Sequence, residues 1–304
     1  MYYPNQIGYY LEPLIMKNYT CMKVASFLMA TLFISSCSTE KDHLVTIKTR
    51  FGDMKVILFD QTPKHKQNFI KLAEEGLLDS TTFHRVIENF MVQGGDVNAK
   101  PNIEEPLNYT IEAEFVDTLI HVKGNLAAAR MGDQQNPTKA SSGTQFYIVH
   151  GQKFSEEELR NIVEGAYMNE MQRRFGALLS DPEYKTLREE VIALQHAGDM
   201  EGIYDKIEQY ETVLIDKFGP IKKKKITQKQ IKAYTTVGGS PHLDGEYTVF
   251  GKVIDGISVI DSIATLPTGP GDKPLQDVYM TVEVEEVSKK KIEKEYGYEY
   301  PEVK

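Results

Sequence analysis

Cysteine and long apolar runs are scarce in this chain of 304 residues, and its net charge is not positive; each of these features excludes a class of protein. The two cysteines lie at positions 21 and 37, so the sequence beyond them offers no thiolate as a metal ligand or nucleophile. A formal net charge of -9 argues against nucleic acid as the main partner. The apolar stretch from residue 24 to residue 36 is too short to span a bilayer.

The remaining composition is that of a globular protein with a sizeable core. Hydrophobic residues make up 41% of the chain and charged residues 26%. The lysine runs at 222–225 and 289–291 are local exceptions to the negative charge. We interpret them as solvated segments near the ends of secondary-structure elements.

The N-terminal segment has the pattern of an export signal. The apolar stretch Val24–Ser36 has the length of the hydrophobic region of a signal peptide, and it follows Lys17 and Lys23. The sequence therefore predicts a signal peptide over residues 1–36, with Met16 and Met22 as plausible alternative starts.

Residues 34–37 resemble a bacterial lipobox, in which small residues precede a cysteine that is lipidated and becomes the mature N-terminus. We therefore expect Cys37 to carry lipid and residues 37–43 to tether the protein to a membrane of the bacterial cell envelope, facing the periplasm or the cell surface. Cys21 would be removed with the signal, which leaves no free thiol in an oxidising compartment. The alternative is an ordinary secretory signal in which Cys37 is incidental.

The run FHRVIENFMVQGGD, residues 83–96, is the most informative part of the chain. Strand alternation, with a tight turn at residues 88–89, predicts that Phe83, Arg85 and Gln93 share one face beside Phe90 and Met91. The run contains neither a nucleophile with its base nor a shell of metal ligands. It indicates a site that binds and polarises a substrate without covalent chemistry, although an isolated strand arginine would more often be a solvated side chain.

Two further segments accompany this run, SSGTQFYIV at residues 141–149 and GGSPHLDGEYTVFGKV at residues 238–253. Each is an apolar, β-branched and aromatic strand pattern entered through turn residues. In this order the three segments resemble the cyclophilin family of peptidyl-prolyl cis/trans isomerases. The resemblance covers residues 44–151 and 237–288, and it implies a mainly β fold: a closed antiparallel β-barrel capped by two helices.

The resemblance implies a catalytic arginine at Arg85 and a second catalytic residue at Gln93, with no metal and no cofactor. It also implies a face that binds proline-containing polypeptides, formed by Phe83, Phe90, Met91, Ala129, Arg130, Gln145, Tyr147, His242, Leu243 and Tyr247.

Four of these positions depart from the family pattern, and one of them is Tyr247, which stands where the family has a histidine at the pocket rim. Arg130 stands where the family has an asparagine whose backbone holds the substrate, and Tyr147 adds a hydroxyl where the family usually has phenylalanine. A buried tyrosine hydroxyl requires a hydrogen-bond partner. His242 replaces a tryptophan that is linked to cyclosporin binding, and the chain contains no tryptophan elsewhere.

The chemistry of proline isomerisation fits this set of residues. Twisting an X-Pro amide destroys its resonance against a barrier of about 18–20 kcal/mol, and no bond has to break. The nitrogen becomes pyramidal in the twisted state, so a donor such as the guanidinium of Arg85 stabilises the transition state more than the planar amide. The alternative is a chaperone or binding module that uses the same pocket without catalysis. The presence of Arg85 together with Phe90, Met91 and Gln93 favours the enzyme.

Local patterns predict the elements around this site. Residues 44–59 have the alternation of a hairpin with a Gly-Asp turn, and Thr62-Pro63 opens a helix that ends at Gly76. A second short helix is expected near Ile257–Ala264 and the last strand near residues 278–287. Residues 289–304 are expected to form a charged C-terminal tail.

Residues 152–236 occupy a place where the family usually has a short loop. A capping box at Ser155 and Glu158 opens one helical stripe, Asp181 opens a second, and Met200 begins a third that ends before residues 219–220. A shorter helix is expected over residues 227–234. We predict an inserted all-α subdomain, which is either a passive insertion or a surface for substrates or partners.

Overall fold

The computed structural model describes residues 40–101, 103–221 and 225–301. The predicted signal peptide, its start sites and the predicted lipid-bearing Cys37 lie outside these residues. The first strand begins at Lys41, so the last part of the predicted tether, residues 41–43, belongs to the folded protein. Within the described ranges, no helix is both long enough and apolar enough to cross a membrane.

The described chain contains an antiparallel sheet of eight strands and a separate pair of short strands. The large sheet has the order β10-β1-β2-β9-β6-β8-β4-β3, and β5 pairs with β7. The strands are β1 (Lys41–Thr49), β2 (Gly52–Leu58), β3 (Phe83–Ile87), β4 (Met91–Gly94), β5 (Thr110–Ile111), β6 (Asn125–Ala128), β7 (Ser141–Ser142), β8 (Phe146–Val149), β9 (Val249–Asp255) and β10 (Thr281–Ser288).

The inner face of the curled sheet carries the main core. Because side chains alternate along each strand, one face of the strands supplies buried aliphatic residues such as Val86, Val92 and Ile148. Helix α1 (Pro63–Glu74) adds Phe69 and Leu72, which are both buried. Helix α7 (Ile257–Ala264) has the predicted bounds and buries Val259, Ile260, Ile263 and Ala264 in the same core.

The predicted closed barrel is not confirmed, because no ladder pairs β3 with β10 in the described residues. A single antiparallel bridge joins Thr82 to Tyr279, in the segments that precede these two strands. In an antiparallel pair the two segments run in opposite directions. Residues of β3, which follow Thr82, would therefore pair with residues that precede Tyr279, whereas β10 begins after Tyr279. The sheet is therefore curled and its edge strands are offset. The predicted Gly-Asp turn of the first hairpin is also displaced, since Arg50 and Phe51 form the turn.

The described residues of the predicted insertion, 152–221 and 225–236, contain five α-helices: α2 (Glu156–Ser180), α3 (Lys185–Ala197), α4 (Met200–Gln209), α5 (Glu211–Phe218) and α6 (Gln228–Thr236). The capping box at Ser155 is confirmed, and Thr227 with Gln230 forms a second one before α6. The single helix predicted from Met200 is interrupted at Tyr210, which ends α4 and precedes α5.

The ends of the insertion lie side by side. Gln152 and Gly239 form an antiparallel bridge, with N-to-O distances of 3.2 and 2.9 Å between their backbones. The helices have a hydrophobic cluster of their own, built around Met171, Phe175 and Leu178. They nevertheless belong to the same compact unit as the sheet, Lys41–Lys304, so a separate all-α subdomain is not confirmed.

The C-terminal segment is part of the fold rather than only a charged tail. Helix α8 (Lys289–Tyr296) buries Ile292 against Leu44 and Ile57 of the first hairpin. Tyr298 and Tyr300 follow and pack against the same cluster. The lysines of the run at 289–291 therefore lie in the first turn of a helix whose opposite side is apolar.

Candidate active site

Strand register assembles a row of side chains across the outer face of the sheet. Arg85 of β3 is paired with Gln93 of β4, Gln93 with Tyr147 of β8, and Tyr147 with Ala127 of β6. Ala127 is in turn paired with Val249 of β9. Residues that are directly opposed in an antiparallel sheet lie side by side on one face. The row therefore places a guanidinium and an amide beside an aromatic and an aliphatic surface.

A second row reinforces that surface, since Ile87 is paired with Met91 and Met91 with Val149. Together the two rows and the loops above them form an apolar cluster, which we call the outer cluster. Its buried members are Phe59, Met91, Ala127, Ala129, Tyr147, Val149, Leu243 and Val249, and Ile87, Phe90, Leu119 and Tyr247 pack against it partly buried.

Phe83 is not on this face, so the prediction that it shares a face with Arg85 is wrong. The register pairs Phe83 with Gly94 and Arg85 with Gln93, which leaves His84 as an extra residue on β3. Such a β-bulge reverses the alternation locally. Phe83 is 1% exposed and packs in the inner core, with its ring centroid 6.4 Å from that of Phe146.

The two glycines that close the motif, Gly94 and Gly95, permit close packing. A Cβ atom at Gly94 would lie 2.6 Å from Cε of Met280, and one at Gly95 would lie 2.7 Å from the carbonyl oxygen of Thr144. Gly95 also has a φ of +79°, which a side chain would strain. Other residues at these positions would push β4 away from its neighbours.

Arg85 is held by a carboxylate that the sequence analysis missed. Its Nε donates to Oδ2 of Asp272 at 3.3 Å, and the two side chains are 42% and 46% exposed. Asp272 ends the short 3₁₀ helix Pro270–Asp272 and has a φ of +60°. Because the carboxylate engages Nε, it orients the guanidinium without occupying both of its terminal NH₂ groups.

Two glutamines continue the polar row beside Arg85. Nε2 of Gln93 donates to Oε1 of Gln145 at 3.0 Å, and the backbone N–H of Gln145 donates to Oγ of Ser142 at 3.2 Å. Neither amide can transfer a proton at neutral pH. Their chemistry suits groups that orient the guanidinium or a substrate backbone, rather than an acid or a base.

The rim of the site combines aromatic and charged side chains. The rings of Phe90 and His242 stack with centroids 5.6 Å apart, so His242 covers the edge of the outer cluster. The guanidinium of Arg130 lies 4.4 Å from the centroid of Tyr247, and its Nε donates to the carbonyl oxygen of Glu246 at 2.8 Å. The side chain of Arg130 is 5% exposed and is therefore committed to the rim loop.

The extra hydroxyl of Tyr147 has a buried partner. It lies 3.0 Å from Nε2 of His121, whose Nδ1 lies 2.9 Å from Oδ1 of Asp244. Burial raises the pKa of the Tyr147 hydroxyl well above its ordinary value, so the group stays protonated and donates. Asp244 lies in the Leu-Asp-Gly segment that the sequence singled out, whereas His121 is a lone histidine before β6 that carries no sequence signal of its own.

The arrangement can bind an apolar ring beside a fixed cation. Among its described residues, the outer cluster contains no nucleophile paired with a base and no pair of ionised acids. All predicted contact residues except Phe83 lie on or around this face: Phe90, Met91, Ala129, Arg130, Gln145, Tyr147, His242, Leu243 and Tyr247.

Comparison with known protein families gives a match on both sides of the helical insertion. The model of the family described as cyclophilin type peptidyl-prolyl cis-trans isomerase/CLD matches residues 44–172 and 220–284. The unmatched stretch between these segments lies inside the predicted insertion.

Individual proteins are also similar to this chain. A Streptococcus pyogenes protein provisionally named a bifunctional phosphatase/peptidyl-prolyl cis-trans isomerase is 32% identical over 247 residues, which is 79% of this chain but 38% of that protein. A Staphylococcus aureus protein provisionally named a peptidyl-prolyl cis-trans isomerase is 29% identical over 245 residues, covering 80% of this chain and 91% of that one. A solved Cryptosporidium parvum cyclophilin-type isomerase aligns with a TM-score of 0.46 and 20% identity, over 81% of this chain and 98% of that structure.

Proposed function

The chain belongs to the family of cyclophilin-type peptidyl-prolyl cis-trans isomerases, and from this we propose that it isomerises X-Pro bonds in polypeptides through the face that carries Arg85. The observation that supports the proposal is the row in which Arg85, Gln93 and Tyr147 lie side by side at the edge of the outer cluster. A cation beside a dry apolar surface suits a substrate whose ring is apolar and whose nitrogen gains a lone pair during reaction.

In the proposed mechanism the pyrrolidine ring rests on the outer cluster, against Met91, Tyr147 and Leu243. A terminal NH₂ of Arg85 then donates to the proline nitrogen as the amide twists and its nitrogen becomes pyramidal. The planar amide nitrogen has no free lone pair, so this hydrogen bond forms only near the transition state and lowers the barrier. Gln93 and Gln145 position the substrate backbone beside the guanidinium.

The proposal is tested by a protease-coupled assay in which only the trans X-Pro peptide is cleaved. Purified protein comprising residues 38–304 should accelerate the slow phase, which reports cis-to-trans conversion, in proportion to enzyme concentration. Unchanged slow-phase rates combined with measurable binding of the same peptide would favour a non-catalytic binding module instead.

We also propose that the protein is exported and anchored by lipid at Cys37, in the cell envelope of a bacterium. The support is the sequence at residues 34–37, together with the apolar stretch Val24–Ser36 that precedes the cysteine. A fatty-acid probe should label the wild-type protein in cells, and Cys37→Ser should abolish the label and move the protein out of the membrane fraction. Equal labelling of both proteins would rule out this anchor.

A further inference from the structure

A line of polar groups connects the helical insertion to the outer cluster; three of its four members are buried, and the side chain of the fourth, Asp244, is 18% exposed. The hydroxyl of Tyr234, in helix α6, donates to Oδ2 of Asp244 at 2.6 Å. Oδ1 of Asp244 lies 2.9 Å from Nδ1 of His121, and Nε2 of His121 lies 3.0 Å from the hydroxyl of Tyr147. Tyr234 and His121 are fully buried, and Tyr147 is 4% exposed. We call these four residues the relay.

The donors and acceptors of the relay can be assigned from its chemistry. The carboxylate of Asp244 can only accept, so Nδ1–H of His121 donates to its Oδ1, and the backbone N–H of His121 donates to the same oxygen at 2.9 Å. In that tautomer Nε2 of His121 is an acceptor, and the hydroxyl of Tyr147 donates to it. With Tyr234 on Oδ2, both carboxylate oxygens accept hydrogen bonds. Such a satisfied buried network is rigid.

The relay fixes two walls of the candidate site. Tyr147 forms the floor of the outer cluster, and Leu243, which precedes Asp244 in the chain, forms part of its side. The loop that carries Leu243 and Asp244 is also held through its backbone, because Ser240 N–H donates to the carbonyl oxygen of His121 at 2.8 Å. Any shift of Asp244 would therefore move Leu243 relative to the ring of Tyr147.

We propose that Tyr234 of the insertion is a positioning residue for the X-Pro site. It acts through the other members of the relay on the ring of Tyr147 and on Leu243. The identity of the ligand, an X-Pro peptide, rests on the proposed function. The ring of Tyr234 packs with Leu159 and Ile231, which a phenylalanine would do equally well. The hydroxyl is the group that links the insertion to the site. The insertion thus contributes to the pocket without touching the substrate.

Removal of the Tyr234 hydroxyl should weaken substrate binding more than turnover. The outer cluster contacts the pyrrolidine ring both in the planar amide and in the twisted amide. A less ordered outer cluster therefore weakens binding of both states equally, which raises KM and leaves kcat nearly unchanged. The loss of one buried hydrogen bond leads us to expect a rise of about three- to tenfold in KM and in the Kd of an X-Pro peptide for Tyr234→Phe.

The matched control is Tyr167→Phe. Tyr167 is also a tyrosine of the insertion, and its hydroxyl donates to Glu211 within the helices. Tyr167→Phe should leave KM, kcat and peptide Kd at the wild-type values. Nitrogen-15 NMR of the His121 ring provides a readout that packing alone would not move, and Tyr234→Phe should shift its Nδ1 signal while Tyr167→Phe should not.

The relay can also be tested from its other end, in the full-length protein. Tyr147→Phe should raise peptide Kd, and the double variant with Tyr234→Phe should raise it by less than the product of the two single effects. The inference would be overturned if Tyr234→Phe had the same peptide Kd and the same His121 spectrum as wild type. It would also be overturned if the two substitutions had fully multiplicative effects on Kd in the double variant. A wild-type protein that binds the peptide without isomerising it would refute the proposed function alone, because Kd and the NMR signals test the relay independently.

Discussion

At the scale of single residues, the proposed mechanism depends on one guanidinium and on the groups that orient it. Arg85 shares its face with Gln93 and Tyr147 because strand pairing places them in one row. Asp272, 187 positions away in the chain, completes the arrangement by accepting from Nε. The predicted catalytic residue thus gains a partner that no local pattern indicated.

Replacing Arg85 should remove most of the activity and little of the stability. Arg85→Ala is expected to lower kcat/KM by about 10²- to 10³-fold, or about 2.7–4 kcal/mol, which is typical for the loss of one preorganised donor. The side chain is 42% exposed, so the fold should survive, as far-UV circular dichroism would show. Arg160→Ala, at a more exposed arginine on α2, serves as the control. Near-normal turnover of Arg85→Ala would refute the donor mechanism.

Replacing Asp272 should lower the activity less than replacing Arg85, because the two side chains form a half-exposed ion pair. Such pairs contribute at most about 1 kcal/mol, so Asp272→Asn should lower kcat/KM by no more than about fivefold. Asparagine is the suitable replacement because it tolerates the positive φ of this position. Asp277→Asn, at an exposed carboxylate of the same loop, is the comparison variant. A loss as large as that of Arg85→Ala would mean that the pair itself is required for catalysis.

At the scale of elements, one bulge and one insertion decide how the site is built. The bulge at His84 turns Phe83 into the inner core and leaves Arg85 outside. The insertion leaves and rejoins the sheet at one point, where Gln152 is bridged to Gly239. Its own hydrophobic cluster is separate from the clusters of the sheet, although α6 delivers Tyr234 to the relay.

Replacement of residues 154–236 by a short Gly-Ser link should leave the sheet folded, because the bridge at Gln152 already holds the two ends together. The kcat/KM for small X-Pro peptides should remain within about tenfold of wild type, about 1.4 kcal/mol, because the residues of the outer cluster are kept and the lost hydroxyl of Tyr234 accounts for no more than that change. Binding of unfolded protein clients should weaken if the helices supply contact area. Peptide turnover and client binding are measured on the same preparation, after circular dichroism has verified the sheet.

Two results of that deletion would each be decisive. Abolished peptide turnover in a folded sheet would place the insertion inside the active site. Unchanged client binding would show that the helices are a passive insertion.

At the scale of the whole molecule, buried histidines make the free energy of unfolding depend on pH. Burial lowers the pKa of His65, His84 and His150 below the ordinary value. The unfolded chain therefore takes up protons first as the pH falls below about 6.5, and the free energy of unfolding decreases. Each histidine that stays neutral in the folded state lowers the free energy of unfolding by at most about 1.4 kcal/mol for each pH unit below that value.

We therefore expect lower stability at pH 5.5 than at pH 7.5, measured by urea unfolding with far-UV circular dichroism because the chain has no tryptophan. His150→Gln should reduce the difference between the two pH values, and His196→Gln, at an exposed helix position, should not change it. Carboxylates with lowered pKa values, such as that of Glu170 at about 2, respond only at more acidic pH. Identical stability at both pH values would contradict this account.

The sequence by itself determined the elements whose rules operate within a few residues. The proline after Thr62 marks the start of α1, and the capping box at Ser155 marks the start of α2. Helix α7 also has the predicted bounds, Ile257–Ala264. The motif resemblance also located Arg85 and most of its contact residues. Each of these features depends on neighbouring side chains and on a backbone that prefers one conformation.

Tertiary structure alone decided the facing of Phe83, the offset of the edge strands, the pairing of Arg85 with Asp272 and the relay from Tyr234 to Tyr147. A bulge adds one residue to a strand and reverses its faces, and no local composition announces it. The ion pair and the relay join segments that are far apart in the chain. Such contacts exist only after the sheet register and the packing of α6 have brought the segments together, because burial supplies the hydrogen-bond partners that an isolated segment lacks.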